Sequence, residues 1–324
     1  MLSVLALAGI AGFLPAQAAV PPPAVRMVTV EPGVQVEVLD WGGRKDGRPL
    51  LFLAGLGDTA HVYDTFAPRF TDRFHVYGMT RRGFGASSKP APTDANYSAE
   101  RLGLDVVAVI DALHLDRPVL VGHSIAGEEL SFAGSHYRQK VAGLIYLDAA
   151  DAYGFYDAAR GDTQIDLLDV KRRLDVFRAG AVYDRAFVDG LRASVAQLNR
   201  DLDSEEVRLA EMPDVPVPPP PPPIPLAVWF GMEKFTKIEA PAMAIFACPH
   251  DMSPAFRGRL ANDPMAQAAL RANDLERCTD QSNAFERANP ADPVVRIAGA
   301  NHHIFVSNPD VVARAMRDFL GKLQ

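Results

Sequence analysis

The run Val119-Leu120-Val121-Gly122-His123-Ser124-Ile125-Ala126-Gly127 passes from an apolar segment, through a glycine, to a serine set among small residues. A helix-compatible segment follows. This is the layout of a nucleophile elbow, a tight strand-to-helix turn that strains the serine backbone and exposes its hydroxyl. The turn brings together the positions two before and two after the serine, so both must be small. Here they are Gly122 and Ala126, a G-x-S-x-A variant in which a methyl still fits, with Gly127 next.

The flanking pattern extends the reading. Arg26-Met27-Val28-Thr29-Val30 and Val34-Gln35-Val36-Glu37-Val38 alternate in strand fashion around Pro32-Gly33 and predict an edge hairpin. Pro49-Leu50-Leu51-Phe52-Leu53-Ala54 is continuously apolar and closes on Gly55-Leu56-Gly57, as a buried parallel strand does. Residues 59–70 show helical spacing at Val62, Phe66 and Phe70, and residues 75–79 read as the next strand. Ser98 can cap a helix with Leu102, Val106, Val109 and Leu113 on one face. Residues 141–147 form a further apolar strand ending at Asp148. Strands alternating with helices predict a mostly parallel α/β sheet.

The alternation stops at about residue 151. Up to residue 240 only helical patterns occur, for example Phe187, Leu191, Val195 and Leu198, together with six consecutive prolines from Pro218 to Pro223. Such a run forms an extended polyproline segment and reads as a stiff connector. The α/β pattern resumes at residues 242–247 and 294–297, and Asn308-Pro309 opens a last helix carrying Val312, Met316 and Phe319.

The 324 residues are 48% hydrophobic, enough for one large domain with an insertion. A net charge of -7 does not suit a nucleic-acid surface. Residues 2–14 are almost wholly apolar and precede Ala16-Gln17-Ala18, which predicts a secretory signal peptide although no Lys or Arg comes before it. No later stretch is apolar for long enough to span a bilayer. In an exported chain the two cysteines, Cys248 and Cys278, are expected to form a disulfide.

A serine nucleophile needs a general base and a carboxylate to orient it. Asp251 follows the strand at 242–247, and His302 follows the strand at 294–297, so both belong at the carboxyl edge of the sheet. Asp148 is the alternative acid and His303 the alternative base. The oxyanion donors are expected to be the backbone N–H groups of Ile125 and Leu56. His123 is expected to pack behind the elbow, Glu128 and Glu129 to open its helix, and Trp229, Phe230 and Phe235 either to line a pocket or to pack the insertion. His61, His75, His114 and His136 have no partner spacing that suggests a metal site.

On these residues the chain resembles the α/β-hydrolase fold family, in its cap-bearing serine branch. The resemblance runs from about Arg26 to the end and rests on the elbow, Leu53-Ala54-Gly55-Leu56-Gly57, Arg82-Gly83-Phe84-Gly85-Ala86-Ser87, Asp251 and Gly299-Ala300-Asn301-His302. It implies a Ser124, Asp251 and His302 triad. It also implies a core of residues 26–150 and 241–324, with a helical cap and polyproline connector at 151–240. Residues 1–18 and 19–25 are then signal peptide and Pro-rich leader. Two positions depart from the usual pattern: Ala54, where many members have His, and Thr80, where many have Asp. Ser124 argues against the epoxide hydrolases and haloalkane dehalogenases of this fold, which use an aspartate nucleophile. The expected activity is cleavage of a small to medium carboxylic ester or lactone, with a small-molecule substrate and no cofactor, nucleic-acid partner or stable membrane insertion. One competing reading takes Gly55-Leu56-Gly57-Asp58-Thr59-Ala60 as a dinucleotide fingerprint, with Thr80-Arg81-Arg82 placed to meet an NADP phosphate. Another is a non-catalytic binding protein on the same scaffold.

Overall fold

Apolar runs of five or six residues, bounded by glycine, proline or a charged turn, become the central strands. The computed structural model describes residues 21–180, 182–212 and 219–323. The expected signal peptide, the start of the leader and Pro218 lie outside them. The strands are β1 (Ala24–Glu31), β2 (Val34–Gly43), β3 (Pro49–Leu53), β4 (His75–Thr80), β5 (Val119–His123), β6 (Gly143–Leu147), β7 (Ala242–Ala247) and β8 (Val294–Ile297). They form one sheet in the order β1-β2-β4-β3-β5-β6-β7-β8. The β1–β2 hairpin and its join to β4 are antiparallel, and all later pairings are parallel.

Because side chains alternate along a strand, each central strand feeds two cores. Leu51, Leu53, Leu120, Leu144, Tyr146, Ala244 and Phe246 face one side, with Val106, Leu130 and Phe285. Leu50, Phe52, Val119, Val121, Ile145, Leu147 and Ile245 face the other, with Phe66, Phe70, Met316 and Phe319. The helices that supply these layers are α1 (Asp94–Tyr97), α2 (Ala99–Ala112), α3 (Gly127–His136), α4 (Thr163–Arg178), α5 (Arg185–Glu211), α6 (Pro223–Phe230), α7 (Pro264–Ala288), α8 (Ile304–Ser307) and α9 (Pro309–Leu320). Ser98 caps α2, its hydroxyl accepting the Arg101 N–H at 3.1 Å. Helices α4, α5 and α6 lie between β6 and β7. None of the helices among the described residues is long and apolar enough to cross a membrane.

Two expectations need correction. Residues 59–70 are not one helix but two 3-10 turns, Ala60–Tyr63 and Ala67–Phe70. Pro68 has no N–H to offer the Asp64 carbonyl, and its ring crowds that carbonyl, so an α-helix cannot continue. The described part of the proline run, from Pro219, leads to Pro222, while Pro223 is the first residue of α6, where a missing N–H costs nothing.

Candidate active site

Strand β5 delivers Ser124 into a left-handed conformation, φ 53°, ahead of a 3-10 turn that leads into α3. A non-glycine residue held there is strained, and such strain clusters at functional sites. The small neighbours have separate tasks. A Cβ on Gly122 would lie 2.9 Å from Leu130 side-chain carbons and 3.2 Å from the Ala126 Cβ. A Cβ on Gly127 would lie 1.8 Å from the Ala149 carbonyl oxygen, so α3 can reach β6 only with glycine there. The glycine loop after β3 closes over the elbow: a Cβ on Gly55 would lie 3.3 Å from the Ser124 Cβ. The Leu56 and Ile125 side chains meet in one apolar cluster, which also holds Tyr153.

The acid is where the expectation fails. His302 Nδ1 lies 2.7 Å from Asp148 Oδ2, and this carboxylate comes from the end of β6. Asp251 is exposed. Its carboxylate accepts the Ser253 N–H at 3.0 Å, and Ser253, through its side chain first and its backbone second, holds the carboxyl pKa below the usual range. The loop after β7 presents His250 to the sheet edge and turns Asp251 to solvent. Asp148, at φ 49°, is a second strained residue. Its Oδ1 accepts the Ala247 N–H at 2.9 Å, and its Oδ2 lies 2.9 Å from His250 Nε2 as well as against His302. Burial works against the Asp148 charge, but the two imidazoles outweigh it and hold the carboxyl below its usual range.

His250, which the sequence reading missed, lies between two carboxylates, with Nδ1 2.8 Å from Asp274 Oδ1 on α7. Burial opposes its charge, yet Asp148 and Asp274 raise its pKa to about 9. Tyr153 was also missed. Its ring packs in the same cluster as Ile125, the residue after the serine, and burial keeps the phenol protonated. Neither residue carries a sequence signal, because its role arises only when the β6 and β7 loops converge. Asp148, Tyr153, His250, Asp274, Arg277 and His302 line a cavity of ≈ 250 Å³ beside the acid. Cys278 forms part of the same wall and lies at disulfide distance from Cys248, with Cα atoms 5.5 Å apart.

The remaining candidates divide between packing and pairing. His123 is buried behind the elbow as expected, with Nε2 3.1 Å from the His302 carbonyl. Burial, with His302 and His303 nearby, lowers its pKa to about 3. His303 does not reach Asp148; its Nε2 lies 3.0 Å from Asp58 Oδ2. Glu128 and Glu129 do sit in the first turn of α3. Glu129 makes a two-pronged buried ion pair with Arg81, at 2.6 and 2.7 Å. Glu128 has no hydrogen-bond partner among the described residues, and burial favours its neutral form. Trp229 and Phe230 are exposed, whereas Phe235 packs with Ala99 and Phe132. The dinucleotide reading finds neither of its parts. Arg81 is taken by Glu129, and Arg82 by Asp105 and Glu31. The glycine loop opens a four-residue 3-10 turn in place of a phosphate-binding helix.

Comparison with known proteins agrees with this architecture. A model of the alpha/beta hydrolase family matches residues 50–315. The chain belongs to the alpha/beta hydrolase family. Among relatives of this hydrolase, 2-(acetamidomethylene)succinate hydrolase of Mesorhizobium japonicum is 22% identical over 281 residues, covering 85% of this chain and 88% of that one. The 3-oxoadipate enol-lactonase 2 of Acinetobacter baylyi is 27% identical over 123 residues, 38% of this chain and 45% of its own length. A hydrolase from Pseudomonas aeruginosa superposes with a TM-score of 0.58 at 19% identity, covering 92% of this chain and 98% of that one, a likeness of fold.

Proposed function

We propose that this protein is a serine hydrolase that cleaves a small to medium carboxylic ester or lactone, with Ser124 as nucleophile, His302 as base and Asp148 as acid. The observation that carries the reading is the Asp148–His302 pair at 2.7 Å, beside a serine held in the left-handed region. The His302 ring packs on that of His123, the residue before the serine, with centroids 4.6 Å apart.

In this mechanism the Ser124 hydroxyl attacks the substrate carbonyl carbon and its proton passes to His302 Nε2. Asp148 keeps the other ring nitrogen protonated and stabilises the imidazolium. The N–H groups of Ile125 and Leu56 receive the developing oxyanion. Collapse expels the alcohol, which takes the proton from His302, and water then cleaves the acyl-enzyme by the same route in reverse. No cofactor enters these steps. The enol-lactonase relative supports the lactone half of the substrate range. Residues 151–240 act as the cap that selects the substrate.

The test is hydrolysis of p-nitrophenyl esters of graded chain length by wild type and Ser124→Ala. Loss of several orders of magnitude in kcat, with an unchanged circular dichroism spectrum, is expected. Activity near wild type would refute the serine mechanism. Export is proposed on the apolar run at residues 2–14 and the paired cysteines. The mature N-terminal mass from the extracytoplasmic fraction tests it.

A further inference from the structure

A second cluster lies on the other side of His302. His303 Nε2 and His123 Nδ1 lie 3.0 and 3.9 Å from Asp58 Oδ2. All three atoms fall within 4.8 Å of one another. The tautomer of His123 decides what this arrangement can hold. Its Nε2 faces the His302 carbonyl, a pure acceptor, so Nε2 carries the proton and donates it there. Nδ1 is left with a lone pair. That atom is buried and has no hydrogen-bond partner, and the nearest charged group is another acceptor, the Asp58 carboxylate.

We infer that Asp58, His123 and His303 form a binding site for one divalent transition-metal ion of the zinc class. Metal–ligand bonds of about 2.0–2.2 Å across the two separations from Asp58 give angles of about 90° and 140° at the ion, and the third pair, His123 Nδ1 and His303 Nε2, lies within 4.8 Å. A small adjustment of Asp58 or His303, 30% and 38% exposed at the side chain, closes the difference between the two angles and leaves an entry path. The supporting bonds of a metal site are present. The second nitrogen of His123 donates to a backbone carbonyl, the Asp58 N–H donates to the Gly55 carbonyl at 3.3 Å, and the His303 N–H donates to Asn301 Oδ1 at 3.1 Å. Gly55 keeps the space open, since a Cβ there would lie 2.8 Å from His123 Nδ1. On binding, the proton that His303 Nε2 shares with Asp58 moves to Nδ1 or to solvent.

The other three-residue cluster, Asp148, His250 and His302, cannot serve the same way. Both nitrogens of His250 face carboxylates and are N–H donors, and Asp148 is already filled by two imidazoles and a backbone N–H. An ion at Asp58 would instead join the glycine loop after β3 to the turn that carries His302.

The experiment uses the full chain stripped with chelator and dialysed. It is titrated with Co2+ by visible absorption and with Zn2+ by calorimetry. One equivalent per chain is expected for wild type and for His250→Gln. Binding at least about 10-fold weaker is expected for His303→Gln and Asp58→Asn, both altered at part-exposed positions. A wild type that takes up no ion overturns the site. So does uptake that survives both His303→Gln and Asp58→Asn, or that is lost in His250→Gln.

Discussion

Replacing Asp148 by Asn exposes the logic of the proposed acid. The carboxylate serves three N–H groups, with Oδ2 facing His302 at 2.7 Å and His250 at 2.9 Å and Oδ1 accepting from Ala247 at 2.9 Å. An amide has one acceptor oxygen. If that oxygen keeps the Ala247 bond, the NH2 group faces two imidazole N–H donors. His302 must then move its proton to Nε2 to accept from the amide, and Nε2 can no longer take the serine proton. That wrong-tautomer penalty lowers turnover by about 10⁴-fold, or roughly 5 kcal/mol in the barrier. The loss falls on kcat, with KM nearly unchanged. His250 also loses one of its two carboxylates, and breaking a buried charged pair costs about 3 kcal/mol of stability. The Asp251→Asn variant is the control. Its side chain is exposed and, among the described residues, bonds to Ser253, so turnover should stay within about 2-fold and stability within about 0.5 kcal/mol. Steady-state ester kinetics and urea denaturation of the two variants decide the matter. A large kcat loss in Asp251→Asn with little in Asp148→Asn would refute the assignment.

The cysteine pair should survive as a bond in exported protein, with alkylation in the absence of reductant adding no label by mass spectrometry. A closed loop of 30 residues' separation stabilises by about 3.5 kcal/mol on the chain-entropy model, so Cys278→Ser should shift the denaturation midpoint accordingly. His250 should make stability depend on alkaline pH. Its folded pKa, about 9, lies above the ordinary value of 6.5, so its contribution is complete below about pH 6.5 and is lost as pH rises through 9. The shift corresponds to at most about 3 kcal/mol, and partial exposure reduces it to about 1–2 kcal/mol. Denaturation at pH 6 and pH 9.5 should show that loss in wild type, and His250→Gln should flatten it.

Much of the frame was legible because its signals are local. The hairpin turn, the closing glycines after β3, the Ser98 cap and the elbow each occupy a few consecutive residues. His302 was legible for the same reason, as the histidine just beyond the last strand. The acid was not. Strands β6 and β7 end side by side at one sheet edge, and both are followed by aspartate, Asp148 at once and Asp251 after four residues. Nothing local says which carboxylate turns inward. That depends on the left-handed backbone of Asp148 and on the Asx turn that draws Asp251 to Ser253. His250 was passed over because its two partners are 102 and 24 residues away. The Thr59 to Phe70 error had a visible warning, since Pro68 interrupts the helical spacing.

Moving the acid from β7 to β6 also gives the β7 loop a different task. The loop carries Cys248 and His250, and each engages α7. Cys248 lies at bonding distance from Cys278. The Asp274 carboxylate accepts the His250 backbone N–H at 2.8 Å and faces its ring nitrogen at 2.8 Å. Asp274 and Cys278 are four residues apart, so they sit one turn apart on one face of α7. Two links from one helix face to one short loop leave His250 little freedom, and its other nitrogen is thereby held against Asp148. The carboxylate is clamped from behind by a cation while its Oδ2 faces His302 in front, where it would act as the proposed acid. A charged His250 draws on the same oxygen that His302 uses, so it weakens the pull of the acid on the base while fixing its position. Placement of the proposed acid is secured by the helix packed against the β7 loop rather than by the β7 loop supplying the carboxylate itself.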